Sequence, residues 1–312
     1  MRKSACELLL QTFPKIIEFA DLRLTYIGNC VVNIFLSYTA VMLNIVTIHA
    51  IRKTSSLPKT LKTLLVSLAV SDVGVGLLGQ PFYTSLLVKW LQQNNPGCNI
   101  YMVFISIISV FSLASFLSVV ALSVDGLLAI HLHLRYQELV TQKRVVAGVI
   151  SIWLLSVFVP LMVFWIPPDI YSLIILFLGV IGLLVTTVAY IRIYVAVQRH
   201  RNQIQSLQVQ QVAENSEMAI FVSLIKSAVG TFYVYIVFLV CYLPFTISLV
   251  VHNIGGPNIE FKRILLYSWT VMYLNSSLNP VIYCWKMRHI RHAIMDILRK
   301  MSWFRNRVSQ WS

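Results

Sequence analysis

Asn44, Asp72, Ser115, Asn275 and Asn279 lie in stretches of chain otherwise suited only to hydrocarbon. In such surroundings each unsatisfied polar group costs several kcal/mol, so these side chains need partners inside the molecule. Carboxylate, hydroxyl and carboxamide oxygens are hard ligands, fit for a small hard cation or for a hydrogen-bond network that only ties helices together. Asn275 and Asn279 are four residues apart and stack on one helical face, while Pro280 removes a backbone donor that other groups must replace. That face must look at another helix, and Asp72 is the best candidate partner.

Conventional catalytic chemistry is absent from the pattern. There is no His-x-x-x-His pair beside a carboxylate, no Gly-rich phosphate loop and no nucleophile elbow. His131, His133, His289 and His292 flank apolar runs and read as solvated or headgroup neighbours. The sequence is not that of an enzyme.

The elements that must position the polar residues are apolar runs. The 312-residue chain is 58% hydrophobic and 12% charged, against about 25% charged in soluble domains. Runs at about Cys30–Ile51, Leu61–Val88, Asn99–Leu132, Val145–Ile166, Ile170–Val197, Ile220–Val251 and Ile264–Trp285 each reach the roughly 20 residues that cross a bilayer. Seven crossings place the termini on opposite sides. Most of the 25 Lys and Arg residues then fall on the side of the C-terminal tail, which puts the N-terminus outside. The net charge of +14 is therefore a topology signal, and nucleic acid is not an expected partner. Leu8–Leu10 is too short for a signal-peptide core, so no cleaved signal is expected. After the last run, Met287, Ile290, Ile294, Ile297 and Leu298 recur at helical spacing among basic residues, the pattern of an amphipathic helix on the inner surface of the lipid bilayer.

Asn279-Pro280-x-x-Tyr283 closing a seventh apolar segment, with a lone Asp72 in the second, resembles the rhodopsin-like (class A) G protein-coupled receptors. Phe238-x-x-Cys241-Tyr242-x-Pro244 is similar to the family's Phe-x-x-Cys-Trp-x-Pro, and Trp153 matches a marker tryptophan in the fourth helix. The resemblance spans about Cys30 to Lys300 and implies an all-α membrane protein. Its fold would be a seven-transmembrane helix bundle, with an N-terminal segment at 1–29, the bundle at 30–285, and an amphipathic helix with tail at 286–312. It would be a multi-pass plasma-membrane receptor that passes binding of an extracellular ligand to a heterotrimeric G protein.

The resemblance also assigns roles. Asp72, Ser115, Asn275 and Asn279 would gather around a sodium ion, the one cofactor expected. Ile108, Tyr242 and Tyr273 would face the ligand cavity. Asp125, Gly126, Tyr190, Phe238, Pro244, Pro280 and Tyr283 would form the activation switch, Pro244 kinking the sixth helix so that its cytoplasmic half can swing. Ile108 stands where aminergic receptors carry an aspartate, and Tyr273 where opsins carry the retinal lysine. Gly182 in place of a fifth-helix proline, with a very short link around Pro167-Pro168-Asp169, is similar to the melanocortin, cannabinoid, lysophospholipid and adenosine branch.

Two departures from the pattern matter. Gly126 and Leu127 replace the Arg and Tyr that follow the family's third-helix Asp, which removes a guanidinium that would latch Asp125 and contact the G protein. This supports an alternative, a receptor-like ligand-binding protein with weak or absent coupling. The resemblance implies a disulfide at Cys98, but the link between helices four and five holds no cysteine for it; Cys6 and Cys30 are open as partners, and the sequence does not decide the pairing. A transporter or channel is a further alternative, opposed by the single intramembrane acid and the lack of paired broken helices.

Overall fold

The computed structural model describes residues 10, 13–55, 57–132, 135–207, 230–248 and 258–308. Within them the chain forms helices α1 (Arg23–Lys53), α2 (Lys59–Leu91), α3 (Cys98–Leu132), α4 (Gln142–Phe164), α5 (Pro168–Leu207), α6 (Gly230–Ser248), α7 (Ile259–Lys286) and α8 (Arg288–Val308). Helices α1 to α6 are long and apolar enough to cross a membrane. Helix α7 has the length, 28 residues, and its apolar character is diluted by the polar side chains that mark it. The multi-pass bundle expected from the apolar runs is the architecture observed.

Local chemistry sets the boundaries. Asn258 caps α7 by accepting the Phe261 backbone N–H at 2.7 Å on Oδ1, and Thr141 caps α4 through Arg144 N. Helix α1 starts at Arg23 and α7 at Ile259, earlier than the expected Cys30 and Ile264. In both cases buried polar residues, Thr25 and Asn29 in α1 and Lys262 in α7, lengthen the helix beyond its apolar stretch. Helix α5 runs on to Leu207, past the expected Val197, because its polar end is still helix-forming. The expected sixth run, Ile220–Val251, is described only over Gly230–Ser248; the remainder lies outside the described residues.

Helix α2 departs from regular geometry. A π-helical turn at Val75–Gly79 follows Asp72 and precedes Pro81. Gly74 and Gly76 sit where neighbours come too close for a side chain: a Cβ at 74 would lie 2.1 Å from the Phe111 ring, and one at 76 would lie 2.8 Å from Val41. Ser37 Oγ donates to the Gly76 carbonyl at 2.8 Å, satisfying backbone that the wide turn exposes.

The interior is divided into two apolar clusters. One fills the end of the bundle that carries the N-terminal segment, with Trp90, Tyr101, Phe104 and Tyr273 buried in it. The other fills the end that carries the C-terminal tail, around Leu68, Leu122, Tyr190, Phe238 and Tyr283. Met287, Ile290 and Ile294 of the α7–α8 junction are buried in the second cluster, so the amphipathic helix docks its apolar face on the bundle. Large side chains such as Leu154, Phe158, Phe177 and Val240 are exposed around the waist, where lipid is their solvent.

Candidate functional site

Asp72 is completely buried. Asn279 Nδ2 donates to its Oδ2 at 2.8 Å, the α2–α7 contact expected from the polar face of α7. The Ser115 and Ser276 hydroxyls lie beside the same carboxylate, and Ser71 and Ser115 Oγ are 2.8 Å apart. Asn275 is buried without a direct bond to Asp72, and its Oδ1 has no partner among the described residues; of the two asparagines on the face expected to look at Asp72, Asn279 is the one that bonds it. A four-residue step keeps the two amides on one face but sets them about 6 Å apart along the axis, and only one of them then reaches the carboxylate.

Pro280 explains another bond. It cannot donate to the carbonyl of Ser276, and Asn44 Nδ2 of α1 donates there instead at 2.8 Å, sharing its donors with the Ala40 carbonyl. The proline's missing bond thus becomes the tie between α1 and α7.

The buried oxygens Asp72 Oδ1, Asn275 Oδ1 and Asn279 Oδ1 have no hydrogen-bond partner among the described residues. Asn279 and the Ser115 hydroxyl lie at the Asp72 carboxylate and supply hard oxygen donors there, chemistry that a sodium ion fits, with the Asn275 oxygen on the next turn of α7.

Above this polar centre, toward the N-terminal end, lies an aromatic cluster. Phe104 stands 5.1 Å from Trp269 and 5.9 Å from Tyr83, and Tyr83 meets Tyr273 edge-on at 5.5 Å. Ile108 is packed in the same cluster. Tyr83 Oη donates to the Leu266 carbonyl at 2.9 Å, but Tyr273 Oη and both carboxamide atoms of Gln80 are buried without partners among the described residues. Tyr242 packs against both clusters. Its ring stacks on Phe238 at 4.0 Å, and Phe238 stacks on Phe116 of α3 at 5.6 Å. Two of the expected ligand-facing residues, Ile108 and Tyr273, therefore share a region, and Tyr242 links it to the switch residue Phe238.

At the tail end, Asp125 is buried and accepts a 2.7 Å hydrogen bond from Tyr136 Oη. Tyr136 Oη also lies 3.1 Å from Thr60 Oγ1 of α2. Burial pushes the Tyr136 phenol upward, and the neighbouring carboxylate adds to the shift, so the phenol keeps its proton and remains a donor. The expectation that Gly126 leaves Asp125 without a restraint is corrected here: a tyrosine from the turn Tyr136–Leu139 supplies it. Tyr190 of α5 packs on Phe232 at 5.0 Å and on Tyr235 at 5.3 Å, both on α6. Tyr283 is buried in the same cluster. Trp153 Nε1 donates to Ser67 Oγ at 3.1 Å, tying α4 to α2.

Cys98 is disulfide-bonded, whereas Cys30 is a free, buried thiol, which removes the Cys30 alternative. Cys6 lies outside the described residues.

Sequence reasoning missed Ser71, Ser276, Gln80 and Tyr136. A serine in a helix can satisfy its hydroxyl on a carbonyl one turn back, as Ser71 does on Leu68 O at 2.7 Å, so it does not demand a partner from another helix and leaves no signal in the pattern. Gln80 directly precedes Pro81 and is legible only as a polar residue at a break.

This arrangement has known counterparts. The model of the 7 transmembrane receptor (rhodopsin family) matches residues 43–168 and 164–283. The adenosine receptor A2b of Gallus gallus is 33% identical over 135 residues, covering 43% of this chain and 38% of that protein. The histamine H2 receptor of Canis lupus familiaris is 26% identical over 283 residues, covering 82% and 75%. The adenosine receptor A3 of Bos taurus is 25% identical over 312 residues, covering 88% and 90%. The chain belongs to the rhodopsin family of seven-transmembrane receptors. It is a G protein-coupled receptor of the plasma membrane, with an extracellular ligand and a G protein as its partners, and not an enzyme. Neither the transporter or channel alternative nor the non-coupling alternative gains support from these matches.

Proposed function

We propose that this receptor takes an uncharged ligand with a planar ring, bound among Ile108, Phe104, Trp269, Tyr273 and Tyr242 with the N-terminal end of the bundle outside the cell. The observation that carries the reading is the pairing of an aromatic lining with neutral, unpartnered hydrogen-bonding groups, the Gln80 carboxamide and the Tyr273 phenol. A carboxamide offers one acceptor and two donors side by side, suited to a heterocycle or amide edge. Ile108 gives a cationic amine no counter-ion from α3, and a buried unpaired charge is costly. Of the two ligands that the relatives are named for, adenosine is neutral and histamine a cation at physiological pH, so the adenosine-like chemistry is the better fit.

Asp72, Ser115, Asn275 and Asn279 would hold a sodium ion, whose charge would offset that of the aspartate. The residues of the chain then do the coupling. Ligand contact with Tyr242 bears on Phe238 and Phe116, and so on the packing of α6 against α3 and α5. Tyr136 holds the buried Asp125 in place of the missing arginine, and the basic tail side of the bundle meets the G protein.

Thermal unfolding of the purified receptor with adenosine and with histamine tests the ligand class, since a ligand specific for the folded state raises stability. Adenosine or a neutral analogue is expected to raise the midpoint and histamine to leave it unchanged. Stabilisation by histamine alone would overturn the reading.

A further inference from the structure

The segment ahead of α1 folds back over the end of the bundle that carries it. Phe13 is buried and stacks on Tyr101 at 4.3 Å with an interplanar angle of 5°. It also lies 5.9 Å from Trp90 and 6.4 Å from Phe104. Phe104 is itself a wall of the proposed ligand region, so the Phe13 ring closes that region from above. Phe19 is buried edge-on against Tyr26 at 6.3 Å, and Leu22 is fully buried. The outer face of the segment is open, with Ile17 88% exposed.

A second attachment is ionic. Glu18, in the one-turn 3-10 helix Ile16–Glu18, binds Lys262 Nζ with both carboxylate oxygens, at 2.6 and 2.9 Å. The Lys15 backbone N–H adds a bond to Glu18 Oε2 at 2.8 Å. Lys262 stands in the first turns of α7 and is only 1% exposed, against 17% for the Glu18 side chain. An ammonium that deep is tolerable only while paired. The segment that neutralises it is also one of the elements around it. Lifting the segment therefore returns Lys262 to water, whereas neutralising Glu18 with the segment in place strands a buried charge.

We propose that Phe13–Leu22 is a lid over the ligand site, with Phe13 as its plug and the Glu18–Lys262 pair as its latch. It rests on the reading that the ligand lies among Phe104, Ile108 and Tyr273. Entry of a ligand from the aqueous side then requires Phe13 to leave Tyr101. The lid has the marks of a segment that opens locally: one short turn, an exposed outer face, and attachments at Phe13 and Glu18 that lie ahead of the buried Phe19 and Leu22 next to α1. The latch also has a direction. Loss of Glu18 drives opening because Lys262 then prefers water, while Lys262→Met leaves an apolar side chain that still fits under a closed lid.

The test needs no ligand. In the full chain, Cys30, Cys241 and Cys284 are replaced by Ala, Cys98 is kept, and Ile108→Cys places one thiol under the lid. The rate of its modification by a water-soluble, membrane-impermeant methanethiosulfonate is measured on intact cells. Modification is expected to be slow, and about tenfold or more faster with Glu18→Gln, as for loss of a charge-assisted bond. Phe13→Ala, which removes the plug without touching a charge, is expected to accelerate it as well, and Lys262→Met to do so least. The exchange Glu18→Lys with Lys262→Glu is expected to restore the slow rate. If Glu18→Gln does not reach the surface, Phe13→Ala carries the test alone. Equal rates in all forms, or fast modification without any lid substitution, would overturn the lid and leave the ligand reading untouched. A lid-dependent rate in a receptor that adenosine fails to stabilise would instead uphold the lid and count against the ligand class.

Discussion

Replacing Tyr136 with Phe removes one oxygen and two contacts, the 2.7 Å bond to Asp125 and the 3.1 Å contact with Thr60. Asp125 is 8% exposed, so water does little to replace the lost donor. A hydrogen bond to a charged group contributes about 1.5–3 kcal/mol, a neutral one about 0.5–1.5 kcal/mol. Tyr136→Phe is therefore expected to lower stability by about 2 kcal/mol. At about 2–4 °C per kcal/mol for a large domain, the thermal midpoint falls by about 4–8 °C. Thr60→Val, which loses only the neutral contact, is expected to cost about half as much or less. The decisive assay is a double-mutant cycle of Tyr136→Phe with Asp125→Asn, read by thermal unfolding of the purified receptor. Two groups in one buried bond should be coupled, so the double variant loses less than the two single losses together. Strictly additive losses would refute the claim that the phenol restrains this carboxylate.

Gly126→Arg introduces the guanidinium that the third helix lacks and is expected to raise nucleotide exchange on a panel of G proteins at matched surface expression; equal exchange in both forms would show that the Tyr136 arrangement already suffices. Agonist affinity is expected to fall as sodium rises, and Asp72→Ala to abolish that dependence, whereas sodium-independent binding in the unmutated receptor would reduce the polar centre to a structural network. Gly182→Ala puts a Cβ 2.4 Å from the Phe116 ring, an overpacking worth about 1–3 kcal/mol; a midpoint unchanged by this substitution would contradict the α3–α5 packing. Burial acts to raise the Glu18 carboxyl, but the Lys15 N–H and the Lys262 ammonium outweigh it and hold it below its ordinary value. Its contribution is thus complete above the ordinary glutamate range and lost as pH falls through the lowered value, so the midpoints of the unmutated form and Glu18→Gln should converge in acid.

The bundle and part of its polar centre are legible in the amino-acid sequence. Asp72 and Asn279 imply a contact because polar groups in hydrocarbon have few other choices, and Pro280 implies a carbonyl in need of a donor. Asn44 as that donor is not legible, since nothing in sequence spacing ties residue 44 to residue 276. The Tyr136 restraint is hidden for a similar reason: a tyrosine just beyond a membrane helix reads as an interfacial aromatic. Gly126 is visible as a loss, but a compensating residue ten positions on carries no mark of its role. The Glu18–Lys262 pair joins residues 244 apart, and the mixed composition ahead of α1 has no periodicity to give it away.

The π-helical turn at Val75–Gly79 divides α2 into two pieces that need not change together. It holds one residue more than an α-helical turn would, which rotates everything after it by about 100° relative to everything before. Asp72 lies on the near side, and Gln80 and Tyr83 on the far side. A chain shortened by one residue here would keep its aspartate against Asn279 while turning Tyr83 away from Leu266 and Tyr273 of α7 and re-aiming Gln80 with it. If the ligand and the sodium ion bind as proposed, their sites take residues from separately adjustable halves of one helix, and a single-residue insertion or deletion at this joint would alter the ligand end while leaving the aspartate in place.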